Sequence, residues 1–332
     1  MKTRSRFYPI LAIALLLLAF IATVTSAKVN EPKNVILISW DGVQRDHLNE
    51  LLDDGKLPNL KALSEEGAMI PIEITTHKTD TKAGHTQMLT GYTPEVTGVY
   101  SNVRYGPIPE GLSLFERLED YYGKDNVVTI ALTGKTDHIG SLPAGKRPEG
   151  RVLRAAGKRQ GKMKGPRREI IDCPAEPWNL VKNHMDVWDG DKGRNASKVG
   201  PQALNYLDEY GKKRFFFFLH FSDPDSKGHA FGENSDEYSN AIITCDTWLG
   251  EIRNRLKELG IDQNTLIYVT SDHGFDEGKK THGNAPYVWL ATNDSDLIAK
   301  EGDQMDIAPT ILERLGIDVA IFQPVMPGKL LY

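Results

Sequence analysis

Residues 34–42 read NVILISWDG, an apolar run rich in β-branched and long aliphatic side chains that ends at an acid and a glycine. A run without polar alternation is typical of a strand that is buried on both faces, as the strands of parallel sheets are. Because the run stops at Asp41, this carboxylate is expected at the carboxyl end of the strand. Gly42 then marks the turn that follows.

The same arrangement recurs along the chain. Further strand-like runs occupy residues 68–75, 127–132, 215–221 and 265–270, and helical patterns occupy residues 48–52, 57–63, 82–89, 242–259 and 306–315. Strands that alternate with helices predict an α/β fold with an open sheet. In such sheets the functional residues lie along the carboxyl edge of the strands. With 332 residues and 40% apolar side chains, the chain is long and apolar enough to bury a core of this kind.

Residues 141–200 interrupt the alternation, since they are rich in Gly, Pro and charge and show no clear core pattern. We interpret them as an insertion or cap on the sheet domain. Within them, residues 146–168 hold ten Lys or Arg and one acid, Glu149. This basic stretch is either a solvated surface loop or a rim that attracts anionic substrates, with Lys162 and Lys164 as candidates to reach a phosphate.

Residues 1–27 have the pattern of a secretory signal, because three basic residues precede the apolar run 10–21, and Ser26 and Ala27 are small enough for cleavage. An uncleaved membrane anchor is the alternative, and it would bring contact with a membrane. Both interpretations place residues 28–332 outside the cytoplasm, either secreted, periplasmic or at the cell surface. We expect these residues to form a single catalytic domain that carries the insertion.

The charge of the chain bears on its partners. Removal of the N-terminal segment takes away three positive charges and no negative ones, which moves the net charge from −5 to −8. A chain of this charge has no general affinity for nucleic acid, so no nucleic acid polymer is expected as a partner. An extracytoplasmic compartment also permits a disulfide between the two cysteines, Cys173 and Cys245. The sequence leaves open whether they are paired.

Six acids and histidines follow predicted strands in loops that Gly or Pro marks, namely Asp41, Asp225, His229, Asp272, His273 and His282. Carboxylate oxygen together with imidazole nitrogen suits Zn²⁺, suits manganese and iron less well, and does not suit Ca²⁺ or Mg²⁺. For any one of these residues a solvated surface group is an equally good interpretation, whereas the whole set is hard to explain in that way. The set supplies ligands for two divalent metal ions, which points to hydrolysis at a phosphorus or sulfur centre.

Thr81 stands between a polar loop and the helical pattern 82–89, at a position that predicts a helix N-cap. A threonine hydroxyl is a poor nucleophile at its free pKa, and direct binding to a divalent cation would favour its ionised form. The helix N-terminus would add backbone donors where the transferred anion must sit. Alone, Thr81 is best interpreted as a capping residue. Beside the six candidate ligands it becomes the candidate nucleophile and a further metal ligand.

Five segments carry a more specific signal: ISWDG at 38–42, TKAGH at 81–85 running to LTGYTPE at 89–95, DPDSKGH at 223–229, TSDHGF at 270–275 and DIAPT at 306–310. Together they resemble the alkaline phosphatase superfamily, and most closely its type I phosphodiesterase and nucleotide pyrophosphatase branch, with a sulfatase-like character. The segments follow the family's order and span most of the chain. The resemblance implies an alkaline-phosphatase-like three-layer α/β/α sandwich with a mostly parallel central sheet.

The resemblance also implies roles for the candidate residues. One metal ion would be held by Asp225, His229 and His282, and the other by Asp41, Asp272 and His273. Thr81 would bridge toward the metals and attack the ester, and water would then release the anion from a covalent phospho-threonine intermediate. The two ions would clamp the entering and leaving oxygens of an in-line displacement.

Departures from the family pattern bear on the substrate. Nucleotide pyrophosphatases usually carry Phe-Pro-Asn after the nucleophile, whereas residues 82–84 are Lys-Ala-Gly, so the expected side-chain donor is missing. Formylglycine sulfatases need Cys or Ser in place of Thr81, which makes ordinary sulfatase chemistry unexpected. Residues 134–140, GKTDHIG, nevertheless resemble a sulfatase active-site segment with one residue inserted. Lys135 and, less directly, His138 are therefore candidates to bind substrate, with a solvated loop lysine as the equal alternative for Lys135.

The sequence thus predicts an extracytoplasmic hydrolase with two Zn²⁺ ions that cleaves phosphodiester bonds of small, nucleotide pyrophosphate-like esters. A phosphate monoesterase, or a phosphonate or sulfate ester hydrolase, could use the same site, because fold and metals do not separate these reactions. A non-catalytic metal-binding surface protein is a further alternative. The intact set of ligands and nucleophile argues against it.

Overall fold

Ten strands are present in the part of the chain that the computed structural model describes, which is residues 33–136, 139–148, 170–190 and 193–332. They are β1 Asn34–Trp40, β2 Ala68–Glu73, β3 Val128–Leu132, β4 Gly145–Pro148, β5 Ile170–Cys173, β6 Val187–Asp189, β7 Phe215–Phe221, β8 Thr265–Thr270, β9 Tyr287–Thr292 and β10 Gly302–Asp303. Eight of them form one sheet in the order β10-β2-β9-β8-β1-β7-β3-β6, and β4 pairs with β5 as a separate antiparallel ribbon.

The centre of the sheet is parallel. β1 pairs in parallel with β7 on one side and with β8 on the other, and Ser39 lies opposite both His220 and Thr270. β9 runs antiparallel to its two neighbours, β2 and β8. The carboxyl ends of β1, β7 and β8 therefore meet at one edge of the sheet. The prediction of a mostly parallel central sheet is confirmed.

Helices cover both faces of the sheet, which gives three layers. α1 Arg45–Asp53, α2 Pro58–Glu66, α6 Ala196–Tyr210 and α8 Asp236–Glu258 share one core with Ile36 and Ile38. α3 Thr81–Thr90, α5 Leu114–Tyr122 and α9 Ile307–Arg314 share the other core with Val35 and Leu37. The short helix α4 Pro94–Thr97 follows α3, and α7 Asp223–Phe231 follows β7. Alternate residues of β1 thus face opposite cores, which explains its unbroken apolar sequence.

The predicted strands at 68–75, 127–132, 215–221 and 265–270 are confirmed to within two residues, and the apolar run that begins at Asn34 forms β1. β9 was not predicted, because a short apolar run does not by itself distinguish strand from helix. α8 begins six residues before its predicted start at 242, since the Ser235 side chain accepts a hydrogen bond from the Tyr238 N–H and caps the helix earlier.

Part of residues 141–200 belongs to the sheet domain. β6 adds to the edge of the sheet beside β3, and α6 begins at Ala196. Trp178 and Val181 are fully buried in the core that α3, α5 and α9 line. β6 and the turn of helix around Val181 could not be predicted because they are only three and four residues long. Lys162, Lys164, Asp137 and His138 lie outside the described residues.

Cys173 and Cys245 are not joined by a disulfide. Cys173 ends β5, and Cys245 is a residue of α8 whose side chain is fully buried in the core. Within the described ranges, no helix combines the length and apolar character that crossing a bilayer requires. The N-terminal segment 1–27 lies outside those ranges, so its role as a signal, and with it a place outside the cytoplasm, stays a prediction.

Candidate active site

Three acids meet at the carboxyl edge of the sheet. Asp41 follows β1, Asp272 follows β8, and Asp225 lies in the first turn of α7, directly after β7. Backbone hydrogen bonds fix their spacing: the Asp225 N–H donates to the Asp41 carbonyl at 2.9 Å, and the Gly42 N–H donates to Asp272 Oδ1 at 3.0 Å. All three acids are buried. The central strands therefore place three carboxylates side by side, as their positions in the sequence predict.

Asp225, His229 and His282 form one group of potential ligands. His229 Nε2 lies 3.3 Å from Asp225 Oδ1 and 3.2 Å from His282 Nε2, and His282 Nε2 lies 3.9 Å from Asp225 Oδ1. Ligands that bind zinc at about 2.0–2.2 Å in a tetrahedral arrangement lie roughly 3.3 Å apart. The spacing of these three atoms fits one ion.

Asp41, Asp272, His273 and Thr81 form a second group. His273 Nε2 lies 3.7 Å from Asp41 Oδ1, 3.5 Å from Asp272 Oδ2 and 3.4 Å from Thr81 Oγ1. The rings of His273 and His282 stack with centroids 3.9 Å apart, so the two groups adjoin. The structure thus brings together all seven residues that the sequence analysis selected as ligands and nucleophile.

The unpaired polar atoms of the site test whether metal ions fit there. Asp41 Oδ1, Asp225 Oδ1 and Asp272 Oδ2 are buried, and no group in the described part of the chain forms a hydrogen bond with them. These are the oxygens that face the histidine nitrogens of the two groups. A buried carboxylate oxygen without a partner is costly, and a bound cation removes that cost. The donors, carboxylate oxygen and imidazole nitrogen, fit zinc.

Lys135 lies among the acids. Its Nζ is 2.7 Å from Asp41 Oδ2 and 2.5 Å from Asp225 Oδ2, on the side of each carboxylate away from the unpaired oxygen. The side chain is buried, so it is not the solvated loop lysine that the sequence allowed. The ammonium group therefore leaves the Oδ1 atoms of Asp41 and Asp225 available to cations. It also bridges the two ligand groups, because it contacts one carboxylate of each. Substrate binding by Lys135 stays a prediction.

The pKa values of the site residues reflect the charges of the neighbouring side chains. Burial alone would raise the pKa of Asp41 and Asp225, but the charge of Lys135 outweighs burial and holds both well below their usual range. Burial and the charge of Asp41 raise the pKa of Asp272 well above its usual value. Burial and the charge of His273 lower the pKa of His282 to about 4, so its ring is neutral near pH 7. A neutral imidazole is the form that binds a metal ion.

Thr81 is the first residue of α3, and Asp80 is its N-cap. The prediction that Thr81 itself caps the helix is wrong, because the extended residue before it already takes that position. His85, one helical turn after Thr81, fixes the first turn of α3 against β1. Its Nδ1 donates to the Thr81 carbonyl at 2.8 Å, and its Nε2 accepts from Ser39 Oγ at 2.9 Å. The Thr81 hydroxyl thereby stays at the N-terminus of the helix, beside His273.

Two further residues at the site were not selected from the sequence. His220 accepts from the Gly134 N–H through Nδ1 and donates through Nε2 to Asp41 Oδ2 at 2.8 Å. A histidine inside the apolar run 215–221 was a signal that could have identified it. Asn102 accepts from the Lys82 N–H at 2.9 Å, which places its amide group at the nucleophile turn. No local pattern identifies Asn102, since only the tertiary fold brings it there.

Comparisons with known proteins show the family of the chain. The model of the family described as type I phosphodiesterase / nucleotide pyrophosphatase matches residues 35–317. Among curated relatives, a bis(5'-adenosyl)-triphosphatase of Pongo abelii is 23% identical over 248 residues, which cover 73% of this chain and 48% of the relative. An uncharacterized pyrophosphatase/phosphodiesterase of Schizosaccharomyces pombe is 28% identical over 250 residues, which cover 72% and 44%. The chain thus spans about half the length of these relatives.

Solved structures share the fold. A 2-O GAG sulfatase superposes with a TM-score of 0.58 at 13% identity, over 91% of this chain and 73% of that one. A structure from the glycosaminoglycan metabolism of Bacteroides thetaiotaomicron superposes with a TM-score of 0.56 at 16% identity, over 90% and 75%. Identities this low show a common sulfatase-like architecture and nothing about substrate.

Proposed function

The chain belongs to the type I phosphodiesterase/nucleotide pyrophosphatase family, and on that premise we propose that it hydrolyses phosphodiester bonds with Thr81 as the nucleophile. The observation that carries the proposal is the position of the Thr81 hydroxyl, 3.4 Å from His273 Nε2 and at the N-terminus of α3. A threonine there is next to candidate metal ligands and to helix N–H donors, which together favour an ionised hydroxyl and an anionic substrate.

Two divalent ions would complete the site, with zinc as the choice that the donors favour. Asp225, His229 and His282 would hold one ion, since their ligand atoms lie 3.2–3.9 Å apart, and Asp41, Asp272 and His273 would hold the other. The His273 ring lies close enough to Asp225 and His282 to reach the first ion as well. When bound, such ions supply positive charge that stabilises an ionised hydroxyl and the oxygens of the phosphoryl group. His220 and Lys135 would orient the Asp41 and Asp225 carboxylates through their Oδ2 atoms.

The chain's own residues account for the bond changes. Thr81 Oγ loses its proton to solvent and forms a bond to phosphorus while the bond from phosphorus to the leaving-group oxygen breaks, and that oxygen departs as a phosphate or takes a proton from solvent and departs as an alcohol. Water then loses a proton and forms a new bond to phosphorus, the Thr81 Oγ–phosphorus bond breaks, and a proton from solvent restores the hydroxyl. The Asn102 amide, which adjoins the Lys82 N–H, is the candidate side-chain donor to a phosphoryl oxygen.

A comparison of three p-nitrophenyl esters tests the proposal: bis-p-nitrophenyl phosphate, p-nitrophenyl phosphate and p-nitrophenyl sulfate, each with zinc-loaded protein. We expect the diester to be cleaved fastest. Thr81→Ala should lower its kcat by at least about 10³-fold, because the covalent route is lost. Thr86→Ala is the matched control, since it removes the same atoms from the same helix and, among the residues that the structure describes, its hydroxyl bonds only to the Lys82 carbonyl, at 2.7 Å.

Other outcomes would change the assignment. A preference for the monoester would indicate a phosphatase, and one for the sulfate ester a sulfatase-like enzyme on the same site. Activity that is unchanged in Thr81→Ala would contradict the covalent mechanism. Zinc binding without turnover of any ester would support a non-catalytic protein.

A further inference from the structure

A buried acid that the proposed mechanism does not use, Glu233, lies beside the loop that carries His282. Its side chain is fully buried, although the residue stands in the short segment between α7 and α8. A carboxylate rarely enters a protein interior unless contacts there offset its lost hydration. The contacts of Glu233 therefore indicate its role.

One carboxylate oxygen of Glu233 bonds to the loop of residues 276–282, which we call the His282 loop. Glu233 Oε2 accepts from the Gly278 N–H at 3.0 Å, and the Glu233 N–H donates to the Lys279 carbonyl at 2.9 Å. Gly278 has a φ of 66°, a left-handed conformation that glycine adopts without strain. Glu233 thus holds the His282 loop through both its side chain and its backbone.

The other carboxylate oxygen of Glu233 faces the helix layer. Glu233 Oε1 lies 3.0 Å from His47 Nδ1 of α1, and His47 Nε2 lies 2.9 Å from Ser239 Oγ of α8. The His47 side chain is itself buried. The carboxylate is therefore fixed between the His282 loop and two helices, which defines the position of the loop relative to rigid elements.

The His282 loop orients both histidines of one candidate zinc site. His229 Nδ1 donates to the Lys280 carbonyl at 2.8 Å, which leaves its Nε2 for an ion. The Asp276 N–H donates to the Thr281 carbonyl at 2.9 Å and closes the loop one residue before His282. The position of the loop therefore sets the separation of His229 Nε2 from His282 Nε2.

The second ligand group is positioned in another way. Asp41 directly follows β1, and Asp272 and His273 directly follow β8, so central strands of the sheet place all three ligands. A displacement of the His282 loop should therefore affect one ion much more than the other.

We propose that Glu233 is a positioning residue for the ion that His229 and His282 would hold, because its carboxylate fixes the loop that brings their nitrogens together. The inference rests on the proposed two-ion site and adds to it a residue that touches neither an ion nor the substrate. Hydrogen bonding rather than charge carries the effect, since a neutral carboxamide can also accept from the Gly278 N–H.

Zinc affinity, measured by competition with a chelator, tests this role in two variants. Glu233→Met keeps most of the side-chain volume but removes the acceptor, and we expect it to raise the Kd of one of the two ions about tenfold without changing the other. Glu233→Gln should restore most of the affinity, because its carboxamide oxygen can accept from the Gly278 N–H while its NH₂ group faces His47.

Glu116→Met is the matched control. Glu116 is also a buried acid that accepts from a glycine N–H, that of Gly111 at 2.8 Å, and Gly111 likewise has a positive φ of 81°. Glu116 belongs to α5, however, and not to the segment that holds the His282 loop. Urea unfolding should show that this variant also loses stability, whereas both zinc Kd values should stay those of the unmodified protein.

A double variant checks which ion is affected. His282→Ala should abolish or greatly weaken the ion that His282 would hold, and adding Glu233→Met should then leave the Kd of the remaining ion unchanged. Unchanged affinity in Glu233→Met, an equal loss for both ions, or an equal loss in Glu233→Gln would overturn the proposed role while leaving the two-ion site intact. If the unmodified protein does not bind two zinc ions, it is the proposed function that fails.

Discussion

At the scale of single residues, the site contains more buried negative charge than its lysine neutralises. Asp41, Asp225 and Asp272 are buried together, and Lys135 is the ammonium group that contacts two of them. Three carboxylates and one lysine leave an excess of negative charge that burial does not tolerate. The balance is restored by protonation of Asp272, whose pKa burial and Asp41 raise, or by bound cations. Lys135 is therefore expected to matter most when no metal ion is present.

Lys135→Met tests this role. In the metal-free protein we expect a loss of about 3–5 kcal/mol in the free energy of unfolding, because removing one partner leaves buried charges uncompensated. In the zinc-loaded protein the loss should be smaller, since the ions neutralise the same carboxylates. Urea unfolding with EDTA and with zinc measures both values.

Lys182→Met is the control for this experiment. Lys182 is half-buried and donates to the Ser141 carbonyl at 3.1 Å rather than to a carboxylate. Its replacement should cost much less and should not depend on zinc. If Lys135→Met lowers the free energy of unfolding equally with EDTA and with zinc, Lys135 contributes packing alone. If the variant instead changes only the KM for diester hydrolysis, a direct contact between Lys135 and the substrate is favoured.

At the scale of elements, α3 connects the nucleophile to the ligands. Gly84, one turn after Thr81, faces the loop after β8, and a Cβ at this position would clash with the Asp272 carbonyl oxygen. The absence of a side chain lets the helix approach the loop that carries Asp272 and His273. The separation of Thr81 Oγ1 from His273 Nε2 thus depends on a glycine that touches neither atom.

Gly84→Ala should push α3 away from that loop. We expect a loss of about 1–3 kcal/mol in stability from overpacking, despite the better helix propensity of alanine. Diester hydrolysis should fall by an order of magnitude or more, since misplacement by about 1 Å can cost 10²-fold. Thermal unfolding and kcat measure the two effects.

Gly106→Ala is the matched control for the helix contact. A Cβ added there meets no described atom within 4 Å, so stability and activity should stay near those of the unmodified protein. If Gly84→Ala behaves in the same way, close packing of α3 on the Asp272 loop is not what positions Thr81.

The strands also show what local sequence can predict. Asp41, Asp225 and Asp272 were predicted at strand ends because β1, β7 and β8 are apolar runs that stop abruptly. The bonds of Asn102 and Lys135 could not be predicted in this way, since each joins residues that are far apart in sequence. β9 is an apolar run that does not by itself distinguish strand from helix, and β6 has only three residues, so tertiary pairing defines both strands.

At the scale of the whole molecule, the fold explains why the ligands are so widely spaced in sequence. Two cores hold the sheet between its helix layers, and parallel strands deliver their carboxyl ends to one edge. Residues from 41 to 282 therefore meet in one place without any local motif that contains them all. The resemblance to a known family is visible in the sequence because several of the short segments that carry it, such as ISWDG and TSDHGF, stand at the carboxyl ends of strands.

Removal of metal should destabilise the molecule as a whole, because the ligands come from elements across the sheet. We expect EDTA to lower Tm and zinc to restore it, with a gain of about 4 kcal/mol when free zinc is a thousandfold above Kd. His282→Ala should reduce bound zinc from two ions per chain to about one, as measured by elemental analysis. A Tm that does not respond to EDTA, in protein shown to contain zinc beforehand, would contradict a structural contribution from the ions.

The stereochemistry of hydrolysis at phosphorus shows whether Thr81 attacks the substrate. A phosphorothioate diester of known configuration is hydrolysed in oxygen-18 water by zinc-loaded protein, and the configuration of the product is determined. Attack by Thr81 followed by attack of water inverts the configuration at phosphorus twice, so we expect overall retention. Overall inversion would show that water attacks the substrate directly and that Thr81 is not the nucleophile.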